Sequence, residues 1–156
     1  MDLVASIDGK VEEICLRLLT YREHSQQELL QKLALKGFAA TVVQPVLDEL
    51  ALKDWQNDHR YAALYATQRL QKGYGALRIS YELRQRGITD FDVNSIVLDV
   101  ATSWLDVLED TYHKKYTPAP FISRSEWAKR SRFLLQRGFS AAMINTLFKR
   151  LQLKFE

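Results

Sequence analysis

Residues 33–50 read Leu33-Ala34-Leu35-Lys36-Gly37-Phe38-Ala39-Ala40-Thr41-Val42-Val43-Gln44-Pro45-Val46-Leu47-Asp48-Glu49-Leu50. One helical pattern ends on a basic residue, a glycine and a large apolar residue, and a second begins a few residues later. Such a glycine suits the residue just past a helix, where the backbone commonly turns left-handed and only Gly does so cheaply. Lys36 before it lies at the negative end of the helix dipole. Beyond Gly37, the residues Val43, Val46, Leu47 and Leu50 recur at offsets of three, four and seven, which is one face of a helix. The arrangement returns twice. Arg86-Gly87-Ile88 precedes Val93, Ile96, Val97 and Val100, and Arg137-Gly138-Phe139 precedes Ile144, Leu147, Phe148 and Leu151. Leu33, Leu83 and Leu134 each stand four residues before their glycine, and Gly37, Gly87 and Gly138 are 50 and 51 residues apart. Agreement at so many positions is the mark of a tandem repeat.

Each copy has a further helix in front. Val11, Ile14, Cys15, Leu18 and Leu19 share a face; so do Tyr61, Leu64, Tyr65 and Leu70, and so do Trp104, Leu105, Leu108, Tyr112 and Tyr116. Ser25 with Glu28 three residues on is a capping box for the second helix. Thr89 and Ser140 are suited to cap the helices after Gly87 and Gly138. Pro45 is expected around the first turn of its helix, where a missing N–H costs least. Gly73 and Gly75 break the chain in the second copy, and Pro118 and Pro120 break it in the third. The pattern predicts an all-α protein of about nine helices in three tandem three-helix repeats, 11–54, 55–100 and 101–156, after a flexible N-terminus of residues 1–10.

Composition agrees. Of 156 residues, 47% are hydrophobic and 26% charged, as in a globular chain, and 6 Gly with 3 Pro leave little for the turns of a β-sandwich. No apolar run approaches the ~20 residues that span a bilayer. The N-terminus carries no signal-peptide pattern, and the single Cys15 cannot close an internal disulfide, so a cytoplasmic location is expected. The net charge of +3 conceals a gradient. Residues 1–50 hold 5 basic and 8 acidic side chains (net −3), residues 51–100 hold 7 and 6 (net +1), and residues 101–156 hold 10 and 5 (net +5). The basic end suits a polyanion or an acidic protein surface, or is an ordinary solvated face.

No enzyme class emerges. His24, His59 and His113 are scattered without ligand spacing, so neither a metal nor a cofactor is expected. Cys15 lies on an apolar stripe and reads as a small core residue. Gly73-Tyr74-Gly75 lacks the strand before it and the Gly-Lys-Ser/Thr ending of a phosphate loop. Glu12-Glu13 and Glu109-Asp110 are surface pairs. What remains is surface. Lys129, Arg132 and Gln136 project together, opposite Trp127, Ser131 and Leu134. Arg69, Lys72, Arg78, Arg84 and Arg86 gather in the second copy, and Lys149, Arg150 and Lys154 at the end of the third, with Tyr74, Tyr81 and Trp55 interleaved. These form either a basic–aromatic face for DNA or an acidic protein, or plain helix surface over core aromatics, the reading preferred for Trp55 and Tyr61.

Several stretches resemble the RecX family. Arg22, then Ser25-Gln26-Gln27-Glu28-Leu29 and Lys32-Leu33, is similar to its opening signature. Trp55-Gln56-Asn57-Asp58-His59-Arg60-Tyr61-Ala62 resembles its aromatic-x-x-Asp-x-x-aromatic-Ala, and Gly75-Ala76-Leu77-Arg78-Ile79, Glu82-Leu83 and Gly87-Ile88 resemble its central core. Arg130 to Phe139 resembles the terminal pattern. The resemblance runs from about Val11 to Leu151. One departure is Leu52-Lys53-Asp54, where the family more often has a Gly next to the aromatic. The resemblance implies an elongated, curved array of three-helix repeats that binds in the groove of the RecA–DNA filament. It implies inhibition of strand exchange, ATP hydrolysis and the co-protease activity of RecA, and so control of DNA repair and the SOS response. A monomer is expected, with no membrane partner. Weak single- or double-stranded DNA binding can accompany this. The alternative is a general helical DNA-binding protein. Expected contact residues are Arg69, Lys72, Arg78, Arg84, Arg86, Lys129 and Arg132, with Gly37, Gly87 and Gly138 as structural glycines.

Overall fold

The computed structural model describes residues 3–156. Its elements are α1 (Leu3–Tyr21), α2 (Gln26–Leu35), α3 (Ala40–Leu52), α4 (Asp58–Gln71), α5 (Ala76–Gln85), a 3-10 turn (Val93–Ile96), α6 (Val97–Val100), α7 (Trp104–Lys115), β1 (Phe121–Ile122), α8 (Arg124–Gln136), α9 (Ala141–Arg150) and β2 (Lys154–Phe155). They form two compact units. One holds the chain up to Ala62 together with Leu83–Thr89, and the other holds Ala63–Glu82 and Asp90–Glu156.

In the first unit, Val11 and Cys15 from α1, Leu29 and Leu33 from α2, and Val43, Val46, Leu47 and Leu50 from α3 make one core. These are the faces the periodicity marks, and removing a fully buried leucine such as Leu47 costs about 2–5 kcal/mol. The Ser25 side chain accepts the Glu28 N–H while the Glu28 carboxylate accepts the Ser25 N–H, so the capping box is formed. The first helix begins at Leu3 rather than near Val11; of the expected flexible segment, residues 1 and 2 lie outside the described residues. Pro45 sits inside α3, beyond its first turn. It is solvent-exposed.

The second unit buries Ala66 and Leu70 from α4, Ile79 from α5, Val107, Leu108 and Tyr112 from α7, Leu134 from α8, and Ile144 and Leu147 from α9. Ser140 caps α9 as expected, accepting the Met143 N–H. Thr89 caps nothing. Asp92 takes that role instead, accepting the Asn94 N–H. The helix expected after Gly87 is only a 3-10 turn and a single α turn. The Asp92 carboxylate accepts the Asn94 N–H at 3.0 Å and the Ser95 hydroxyl donates to the Asp92 carbonyl at 2.6 Å, and such side-chain bonds compete with a helical ladder. The valines and isoleucine around them are weak helix formers. Val93, Ile96 and Val97 are still buried, whereas Val100 is 38% exposed. Leu64, placed on an apolar face by its spacing, is exposed as well.

Beyond the helices, Phe121–Ile122 and Lys154–Phe155 form a short parallel pair. The Lys154 N–H donates to the Pro120 carbonyl at 3.0 Å and the Glu156 N–H to the Ile122 carbonyl at 3.1 Å. Phe155 stacks 5.0 Å from Phe148, which fixes the C-terminal strand against α9.

Candidate partner-binding surface

The glycine turns position the surface. In all three copies the residue after Gly donates to the Leu four before it: Phe38 to Leu33, Ile88 to Leu83 and Phe139 to Leu134, at 3.0, 3.0 and 3.2 Å. This is the Schellman closure, with φ of +92°, +81° and +101° at Gly37, Gly87 and Gly138. Their surroundings differ. A Cβ at Gly37 would meet open space, whereas at Gly87 it would overlap Gln27 and at Gly138 it would overlap Arg78.

Those contacts are one joint used twice, each time inside a single unit. In the first unit, the start of α2 meets the segment around the Gly87 turn. The Gln26 N–H donates to Asp58 Oδ1 at 2.9 Å and Gln27 Nε2 to the Gln85 carbonyl at 3.0 Å. In the second unit, the start of α5 meets the Gly138 turn. The Gly75 N–H donates to the Arg137 carbonyl at 2.8 Å and the Leu77 N–H to the Gly138 carbonyl at 3.1 Å. At the second joint, N–H groups at the helix start are thus satisfied by carbonyls of the next copy's turn; at the first, the Asp58 carboxylate takes the Gln26 N–H and the Gln27 side chain reaches the turn.

This second joint gathers a basic–aromatic cluster. Around the Tyr74 ring stand the guanidinium groups of Arg69 at 3.7 Å, Arg137 at 4.3 Å and Arg78 at 4.8 Å. Arg69 donates to Glu82 Oε1 at 2.9 Å, the Tyr65 hydroxyl donates to Glu82 Oε2 at 2.6 Å, and Arg78 lies 3.5 Å from Oε1. Burial alone would push the Glu82 carboxyl up. The hydrogen bonds from Tyr65 and Arg69 and the charges of Arg69 and Arg78 outweigh it and hold the carboxyl below its usual range. The series continues from Arg137, 5.2 Å over Phe133, to Lys115, 3.7 Å over the same ring, and to Arg130, 4.3 Å over Tyr116 and donating to the Tyr112 hydroxyl at 2.7 Å. Each such contact contributes about 0.5–2 kcal/mol according to its exposure.

The expected contact residues divide between the units. Arg69 and Arg78 join the Tyr74 cluster. Lys72 is exposed, and its carbonyl accepts from Arg137 at 2.9 Å. Lys129 and Arg132 stand exposed on α8, apart from the ring-stacked arginines. Arg84 and Arg86 belong to the first unit. Arg84 is exposed, while half-buried Arg86 lies close enough to Tyr61 for its charge to act on that hydroxyl. Burial and the Glu28 carboxylate push the Tyr61 hydroxyl up to about 12. Arg150 pairs with Asp106 at 3.2 Å and Glu109 at 3.1 Å, so it does not cluster freely with Lys149 and Lys154. Tyr61 is a core residue as expected, but Trp55 is 50% exposed, with Lys53 5.1 Å over its ring. It directly follows Asp54, which takes φ +60°.

Arg137, Arg130 and Lys115 were missing from the sequence-based set. Arg137 showed only as the residue before a glycine, and ring stacking has no linear signature. The Cys15 thiol, pushed up to about 11 by burial and the Glu12 charge, is an unreactive core group. Among the described residues no three His, Cys, Asp or Glu side chains are placed to hold a metal, and no helix is long and apolar enough to cross a membrane.

Comparison with known proteins matches this architecture module by module. Residues 13–50, 57–95 and 103–148 match the first, second and third three-helix domains of RecX. The chain belongs to the RecX family. A regulatory protein RecX of Legionella pneumophila is 37% identical over 140 residues, covering 90% of this chain and 93% of that protein. The regulatory protein RecX of Halorhodospira halophila is 34% identical over 134 residues, 86% of this chain and 83% of its own. Two crystal structures share the fold. A regulatory protein RecX superposes with TM-score 0.75 at 23% identity, over 94% of this chain and 73% of that one. RecX from Lactobacillus salivarius gives 0.70 at 20%, over 94% and 97%. RecX three-helix domains and regulatory relatives therefore account for most of the chain.

Proposed function

We propose that this protein binds the RecA nucleoprotein filament and inhibits the recombinase, ATPase and co-protease activities of RecA, which restrains recombination and the SOS response. The observation that carries this reading is the match of three consecutive RecX three-helix domains. The basic–aromatic cluster around Tyr74 and the exposed Lys129 and Arg132 supply a surface of the required sign. Tandem modules suit a polymeric target, because several weak contacts to successive protomers add without any one being strong.

The test is strand exchange and repressor cleavage by RecA with the purified full chain present. Both activities fall as the chain is added. Unchanged activity at a chain concentration equal to that of RecA contradicts the proposal. The same chain titrated with single- and double-stranded DNA, RecA absent, at two salt concentrations supplies the control. DNA affinity strong enough to strip RecA from DNA by competition replaces filament binding as the explanation.

A further inference from the structure

In the second unit a shallow groove of about 430 Å³ runs between α5 and α8. Leu77, Arg78, Tyr81 and Glu82 form one wall, and Leu135 and Gln136 the other. Three of these side chains are apolar and stand in solvent, Leu77 at 61%, Tyr81 at 56% and Leu135 at 46% exposure. None belongs to the core, which is filled by Ile79 and Leu134 from the opposite faces of the same helices. Single exposed leucines are ordinary, but three apolar side chains converging on one groove mark a binding site. The walls are held together. Arg78 donates to the Gln136 carbonyl at 2.9 Å, beside the bond from the Leu77 N–H to the Gly138 carbonyl.

Charge identifies the occupant. On α8, Arg124, Lys129, Arg130 and Arg132 outnumber the one acid Glu126, which Arg130 holds at 3.0 Å. On the facing wall Glu82 is bound by Tyr65 and Arg69. Both carboxylates are thus engaged within the fold. Lys129 and Arg132 are exposed, and neither makes a side-chain hydrogen bond or ion pair among the described residues. Arg132 stands on the face of Leu135 and Gln136, three and four residues away, and Lys129 one turn beyond. Phosphates would use the cations but have no need of two leucines, whereas a peptide carrying carboxylates and one apolar side chain uses both.

The geometry points to this groove as the docking site for an acidic protein segment whose aliphatic or aromatic anchor seats on Leu77, Tyr81 and Leu135 while its carboxylates meet Lys129 and Arg132. The inference rests on the filament-binding reading, the segment being one of RecA. The affinity of the labelled full chain for RecA–DNA filaments tests it, with unchanged helicity and melting temperature required of every variant. Leu135→Glu sets a carboxylate against the occupant's own and weakens binding about tenfold or more, while Leu135→Lys loses clearly less. Leu77→Gln with Tyr81→Gln weakens binding about five- to tenfold at an unchanged salt slope, and Lys129→Ser with Arg132→Ser lowers that slope. Groove variants that bind like the parent, or equal losses from Glu and Lys at position 135, overturn the groove and leave filament binding standing. The same variant pattern on free DNA overturns it in favour of nucleic acid. A parent chain with no filament affinity overturns both readings.

Discussion

At Gly138 two constraints coincide, a φ of +101° and the backbone of Arg78 directly where a Cβ would stand. Gly37 carries only the first. Gly37→Ala should therefore cost about 1 kcal/mol, the ordinary penalty of left-handed backbone, and Gly138→Ala about 2–4 kcal/mol, read from urea unfolding of each variant. Equal costs would mean that the joint yields freely. The converse case is Gln152, which holds φ +56° past the end of α9 and is exposed. Gln152→Gly should stabilise by up to about 1 kcal/mol in the same assay. Asp54 is the parallel position after α3, with φ +60°. Here the side chain offsets the strain, accepting from Asn57 at 2.7 Å and from Arg60 at 3.3 Å. The turns were legible in the sequence because glycine marks them. What each glycine touches was not, since Gln27 and Arg78 lie tens of residues away.

Among the elements, the junction of α1 and α2 carries a pH dependence. His24 is buried, with Nδ1 3.0 Å from the Arg22 carbonyl and Nε2 2.9 Å from the Lys32 ammonium. This geometry fits a neutral ring that donates through Nδ1 and accepts through Nε2. Burial lowers the pKa of His24, and the Arg22 and Lys32 charges add to that against the backbone bond and Glu28. A group whose neutral form is favoured by folding takes up its proton first in the unfolded chain. Stability is then full above the ordinary histidine value of 6.5 and declines as pH falls through it towards the lowered folded value. An NMR titration should find His24 below 6.5; a value above 6.5 contradicts the assignment. Glu28 and Glu82, both held below 4.5, add a further loss of stability at pH lower still. The element most poorly read from sequence is the 3-10 turn with α6. Its apolar spacing matched the other copies, but spacing reports which face is buried, and the side chains of Asp92 and Ser95 compete for the backbone groups that would close a full helix. The β1–β2 pair was equally hidden, because two residues per strand leave no periodicity.

For the whole molecule, the three-module organisation was legible because fifty-residue recurrence involves many positions at once. The charge gradient was legible too, but not its use. Of the expected contact residues, Arg69 and Arg78 are engaged with Tyr74 and Glu82, whereas Lys129 and Arg132 make no side-chain hydrogen bond or ion pair among the described residues. Charge reversal at Lys129 and Arg132 should therefore weaken filament binding by about tenfold with little loss of stability, since exposed unpaired charges contribute little to folding. Arg69→Glu should also lower stability, by about 1–3 kcal/mol, because it breaks the Glu82 pair and a ring contact while setting two carboxylates together. Thermal melting of the two variants side by side separates the roles. The DNA-dependent ATPase of RecA, measured against increasing amounts of the full chain, reads the proposed inhibition. Half-inhibition at less than one chain per RecA protomer is the predicted result. An ATPase rate unchanged at equimolar chain would rule out inhibition of RecA by this protein.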